Sequence, residues 1–179
     1  MEIMVTNREF VALKKGNRPP RMSEIPQGGI CLSAFIVLSK RKNKHLVLMG
    51  RLSKKAAWDH IGGLDEERVE RNSKGWMLPS SHLMLGEGPL DAARRIMREQ
   101  LGLVKQRIEG PRVFSEVYTP GRHWERHWDL EFVYLGVRET VPTHEAWSEL
   151  RFVDLRHTGK EEIARSHEDI LAHVGVWHR

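Results

Sequence analysis

The sequence predicts an α/β/α sandwich: a mixed β-sheet held between one internal helix and one C-terminal helix. Three stretches predict it. Ile30 to Ser39 is near-continuously apolar, the pattern of a strand buried on both faces. Leu90, Ala93, Met97 and Leu101 recur at helical spacing and form a core-facing stripe. Lys160 to His173 presents Ile163, Ala164, Ile170 and Leu171 on one side, with Val174 just beyond.

The elements follow in chain order. Residues 1–29 mix charge with short apolar pieces and read as an N-terminal extension or an edge strand, with Ile3 to Leu13 as the strand. Lys14 to Arg21 carries two prolines, a glycine and four basic residues, a loop composition. Gln27-Gly28-Gly29 is a turn before the apolar strand. Lys40 to Lys44 is a basic turn, and His45 to Leu52 pairs back as a hairpin. Residues 53–74 are long for a connection, as insertions are. Asp65 to Arg71 reads as a short charged helix within them. This insertion is either a lid or partner-binding element, or a solvated surface excursion, and the second is the commoner case for such a stretch.

Trp76-Met77-Leu78 is a short strand ending at Pro79. A loop with two glycines and Glu87 leads to Pro89, which suits a first helical position because its missing N–H has no partner there. Gly102 is placed to end that helix in a left-handed cap. Arg112 to Thr119 and Asp129 to Val137 read as strands. Between them stands Gly-Arg-His-Trp-Glu-Arg-His-Trp. Arginine forks bind phosphate and tryptophan faces stack on bases, so Arg122, Trp124, Arg126 and Trp128 are candidate substrate-binding residues. The alternative is an amphipathic edge with both tryptophans packed inward. His123 and His127 read as polar surface rather than metal ligands. Glu149 to Val153 is a last strand, and Thr158 with Glu161 makes a capping box for the terminal helix.

Composition sets bounds. The chain has 179 residues, enough for one domain with a sizeable core, and a net charge of +5. That charge favours anionic partners such as nucleotides or nucleic acid. Cys31 is the only cysteine, so no intrachain disulfide forms, which fits a reducing cytoplasm. No apolar run approaches a membrane span, and the N-terminus lacks a signal-peptide core. No helix-turn-helix pattern is present.

The stretch from Ser81 to Leu103 resembles the Nudix box, the signature of the Nudix hydrolase superfamily. Glu87, Arg95, Met97, Glu99, Gly102 and Leu103 stand at the box spacing, and Leu78-Pro79 and His82 also look like the family. The box is degenerate at three positions: Ser81 replaces a glycine, and Ile96 and Gln100 replace glutamates. The resemblance implies a Nudix-like sandwich with the box helix on one face. It implies hydrolysis of a nucleoside diphosphate linked to another group, with Mg2+ or Mn2+ as cofactor. Glu99 is then catalytic and, with Gln100, metal-binding. Glu145 looks like the glutamate that assists the metal or the water from a later loop. Ser81, Glu87, Arg95 and Gly102 are the structural box residues, with Glu87 and Arg95 pairing loop to helix. With two glutamates gone, metal binding is expected to be weak. The second reading is a non-catalytic module that binds a nucleotide, RNA or a protein partner. A homo-oligomer is compatible with either.

Overall fold

In the computed structural model, residues 7–9, 23, 25–119 and 126–178 are described. The strands are β1 (Asn7–Glu9), β2 (Ile30–Lys40), β3 (Asn43–Leu52), β4 (Ser80–His82), β5 (Glu109–Thr119), β6 (His127–Val137) and β7 (Trp147–Asp154). The helices are α1 (Trp58–Ile61), α2 (Glu66–Asn72), α3 (Pro89–Leu101) and α4 (His167–His173).

The sheet is mixed and has the order β1-β5-β6-β2-β3-β7, with β4 pairing β2 off that path. β2 runs parallel to β6; β1·β5, β5·β6, β2·β3, β2·β4 and β3·β7 are antiparallel. Alternate residues of a strand face opposite sides. On β2, Ala34, Ile36 and Leu38 therefore meet Ala92, Ala93, Ile96, Met97 and Leu101 of α3 in one core. Phe35 and Val37 meet Ile170 and Leu171 of α4 in the other. β2 thus lies between the two cores, as its continuous apolar run predicts. No helix among the described residues is long and apolar enough to cross a membrane.

Several boundaries differ from the sequence reading. Leu90 is exposed, so the buried face of α3 begins at Ala92 and Ala93. Trp76 and Met77 form isolated bridges, to Ile163 and Gly50, and the strand proper comes later as β4. The terminal helix is shorter than Lys160–His173. A 3-10 turn covers Lys160–Glu162, Ile163 is extended, and Arg165 and Ser166 have positive φ before α4 starts. Trp76 explains the break: its N–H and C=O bond Glu162 O and Ala164 N, which draws Ile163 into a parallel bridge. The cap uses Gly159 N and Glu162 Oε1 at 3.0 Å, not Thr158 and Glu161.

The largest correction concerns residues 53–74. Trp58, Leu64 and Val69 are buried in the α3 core, so the stretch is no solvated excursion. Asp65 caps α2 by accepting from Arg68 N at 2.8 Å, which leaves Val69 facing inward. The Trp58 indole meets Trp147 edge-on, with centroids 5.0 Å apart. Trp147 lies flat on Gly50, where any Cβ would run into its ring. Trp58→Ala should therefore lower stability by about 3–5 kcal/mol, the cost of truncating a buried aromatic. Urea unfolding checks this, and a shift in the midpoint worth under about 1 kcal/mol would place Trp58 outside the core.

Candidate active site

The box helix is anchored from its N-terminal side by a buried ion pair. Arg95 donates from Nε to Glu87 Oε1 at 2.7 Å and from Nη2 to Glu87 Oε2 at 2.9 Å. Its Nη2 also reaches His82 O at 2.9 Å, and Met84 N donates to Glu87 Oε2 at 3.0 Å. The pair is nearly sealed from water, with side chains 7% and 13% exposed. Arg95, above all, holds the Glu87 carboxyl below its ordinary range. A carboxylate with a depressed folded value adds stability above its unfolded value of about 4.3 and loses it as pH falls through the folded one. At the other end Gly102 takes φ +65°; its N–H donates to Arg98 O at 3.1 Å and Leu103 N–H donates to Met97 O at 2.9 Å, which closes the helix. Ser81 is buried in β4 opposite Ala34, a strand position rather than an open glycine turn.

Ile96 and Gln100 are both enclosed by the core. Ile96 is fully buried in the cluster that also holds Trp58 and Leu64. Gln100 is fully buried too. Its Nε2 donates to Ile61 O at 2.7 Å and Ser80 O at 2.8 Å, and its Oε1 accepts from Ser80 N at 3.1 Å. The expectation that Gln100 offers a metal its carbonyl oxygen is therefore corrected: the amide is spent inside the protein, joining α3 to β4 and to the end of α1. A carboxylate cannot donate those two bonds.

Glu99 is on the other side of the helix end. Its side chain is 30% exposed and lies near Arg98 Nη2 at 3.2 Å and Arg95 Nη1 at 3.7 Å. It lines a cavity of about 550 Å³ together with Glu145. Lys55, Ala56, Ile61 and His144 complete most of the wall. The loop carrying Glu145 is fixed by Trp147, whose Nε1 donates to Gln100 O at 2.7 Å. Ala146 N donates to His144 Nδ1 at 3.2 Å, so in the neutral ring the proton sits on Nε2. Carboxylate oxygens are the ligands that a hard divalent cation takes, and Glu99 and Glu145 are the two carboxylates that line this cavity. They do not make the dense acidic patch of a complete box. Lys55 and His144 escaped the sequence reading, because nothing in the sequence ties residues 53–57 to the helix.

Of the Arg/His/Trp stretch, only Arg126, His127 and Trp128 are described. Arg122 and Trp124 lie outside the described residues. Arg126 and Trp128 do not line the cavity. Arg126 O accepts from Gly28 N at 2.9 Å, and Trp128 Nε1 donates to Ser115 Oγ at 2.7 Å, which ties its indole to β5. Trp128 is thus half-buried sheet packing, as the amphipathic alternative has it.

No protein-family model matches the sequence, and no curated protein matches it. Solved structures do match in fold. A MutT Nudix hydrolase from Burkholderia pseudomallei superposes with TM-score 0.56 at 15% identity, over 81% of this chain and 98% of that one. The Nudix domain of Shewanella oneidensis NrtR, in complex with ADP-ribose, gives 0.53 at 15% identity, over 80% and 84%. The Escherichia coli dihydroneopterin triphosphate pyrophosphohydrolase gives 0.50 at 11% identity, over 83% and 98%. This chain has the Nudix fold, a mixed sheet with the box helix on one face and α4 on the other.

Restoring the box consensus should damage the protein. Gln100→Glu strands the carbonyls of Ile61 and Ser80 and buries a charge, at a cost of at least about 2 kcal/mol near neutral pH. Because burial raises the new carboxyl's pKa, the deficit should grow as pH rises above about 4.3. Denaturant midpoints across pH measure this; a midpoint equal to wild type at pH 7 contradicts the clamp.

Proposed function

We propose that this chain is a divergent Nudix-type pyrophosphohydrolase that cleaves a nucleoside diphosphate linked to another group in the cavity between Glu99 and Glu145. The observation that carries this reading is the shared cavity itself. A carboxylate at the box position Glu99 and a second from the loop before β7 line one space of about 550 Å³, a size usual for small-molecule sites. Glu99 and Glu145 are the residues that would hold a magnesium or manganese ion. Such an ion supplies charge neutralisation and a water activated for attack. With two carboxylates instead of four, its affinity is low.

The chain's own residues complete the chemistry. Lys55 places a positive charge on the wall, where phosphate oxygens gain from it. His144, held by Ala146 N, keeps its second ring nitrogen for a donor role. The Glu87–Arg95 pair and the Gln100 amide keep the helix end and β4 in place, so Glu99 stays on the cavity. The Shewanella domain was crystallised with ADP-ribose, a nucleoside diphosphate linked to a sugar, so that class heads the substrate panel.

A second reading rests on a separate observation, the burial of Ile96 and Gln100. It is a non-catalytic module that binds a nucleotide, RNA or a protein partner and does not turn it over.

The test is a panel of ADP-ribose and other nucleoside diphosphate derivatives, with magnesium and with manganese, followed by release of nucleoside monophosphate. Turnover should need millimolar metal. Glu99→Gln and Glu145→Gln should each lower kcat by about 100-fold, as loss of a group acting at the reacting centre does. Nucleotide binding without turnover in either metal supports the second reading.

A further inference from the structure

Away from that cavity, the other face of the sheet gathers a different set of donors. β2 and β6 pair in parallel with Cys31 opposite Asp129, and β2 pairs β4 with Ser33 opposite His82. Side chains two apart on a strand share a face, so His127 joins Asp129 and Cys31. The result is specific. His82 Nδ1 lies 3.3 Å from Cys31 Sγ and 3.1 Å from Ser33 Oγ. His127 Nε2 lies 3.3 Å from Asp129 Oδ1. The ligand atoms of Cys31, His127 and Asp129 all fall within 4.8 Å of one another.

We propose that Cys31, His82, His127 and Asp129 form a zinc site that pins β4, and with it the start of the box loop, to β2 and β6. The site is independent of the hydrolase reading, and none of the four residues lines the Glu99 cavity. One thiolate, two imidazoles and one carboxylate are zinc's preferred donor types. Sulfur and nitrogen select zinc or cobalt over magnesium. Bonds of about 2.0–2.3 Å in a tetrahedron separate the donors by about 3.3–3.8 Å. Two of the pairs already stand at 3.3 Å, the 4.8 Å bound leaves Cys31 a shift of about 1.5 Å or less toward His127 and Asp129, and His82 joins that trio through its contact with Cys31. The donors come from three paired strands, so the backbone that carries them is set by sheet register and not by a mobile loop. Cys31, His82 and His127 are half-buried while Asp129 is buried, which leaves an entry path and a dry inner side. Four protein ligands make a closed site of the structural type.

Cobalt is the probe, because tetrahedral cobalt–thiolate sites absorb where zinc does not. The full chain, stripped with chelator, is titrated with cobalt alone. One equivalent should produce a sulfur-to-cobalt band in the near ultraviolet and strong visible bands, both displaced by zinc. Cys31 is the only cysteine, so the band has one possible source. Cys31→Ser should abolish it, Asp129→Asn should weaken cobalt binding by about 10-fold or more, and Glu99→Gln should leave it intact. Zinc should raise the melting temperature of the wild type and not of folded Cys31→Ser. A wild-type spectrum without the sulfur band overturns the site, and so does an equal zinc shift in both proteins.

Discussion

The Gln100 amide ties together α3, β4 and the end of α1. Its side chain satisfies both backbone groups of Ser80 in β4 and the carbonyl that ends α1. Its own backbone carbonyl accepts the Trp147 indole. Trp147 in turn covers Gly50 and meets Trp58. Remove the amide and buried carbonyls at Ile61 and Ser80 lose donors, each worth about 1–3 kcal/mol. The box helix, the strand before its loop, the 53–74 stretch and the wall carrying Glu145 all converge on this one residue.

That convergence leaves no room for a charged carboxylate at position 100. A glutamate at position 100 needs water or a cation beside it. Here α1 and Ile61 occupy that side, so the position demands a neutral group that donates as well as accepts. Position 96 lies one turn earlier and enters the same apolar cluster as Trp58 and Leu64. Ile96, Gln100 and the docked 53–74 stretch therefore form one packed unit. Glu99 stays partly exposed, on a cavity whose wall the same stretch helps to build through Lys55, Ala56 and Ile61. The Glu87–Arg95 pair survives because it serves the loop's geometry and needs no metal.

Much of this was legible in the sequence. The apolar run of β2, the α3 stripe from Ala93 to Leu101, the Pro89 start and the Gly102 cap are local signals, and the fold follows from them. The joint placement of Glu99 and Glu145 was expected only through the resemblance to the Nudix box. What stayed hidden depends on long-range contact. Gln100 reads as a neutral ligand until Ile61 is known to abut it. Residues 53–74 carry enough charge to look like surface, yet three apolar side chains at the right turns bury them. Arg126 and Trp128 look like a nucleotide-binding loop, but β5 claims the Trp128 indole through Ser115. His127 looks like polar surface until sheet register sets it beside Asp129 and Cys31.

We propose that divalent metal binds on the Glu99 side of the helix end; positions 96 and 100 belong to the core. Manganese is paramagnetic and broadens the amide signals of residues near it, so a titration of isotope-labelled protein tests the claim directly. Broadening centred on Ser53 to Ala57, Glu99 and His144 to Ala146 is the predicted result. Unchanged line widths for those amides at millimolar manganese would contradict it.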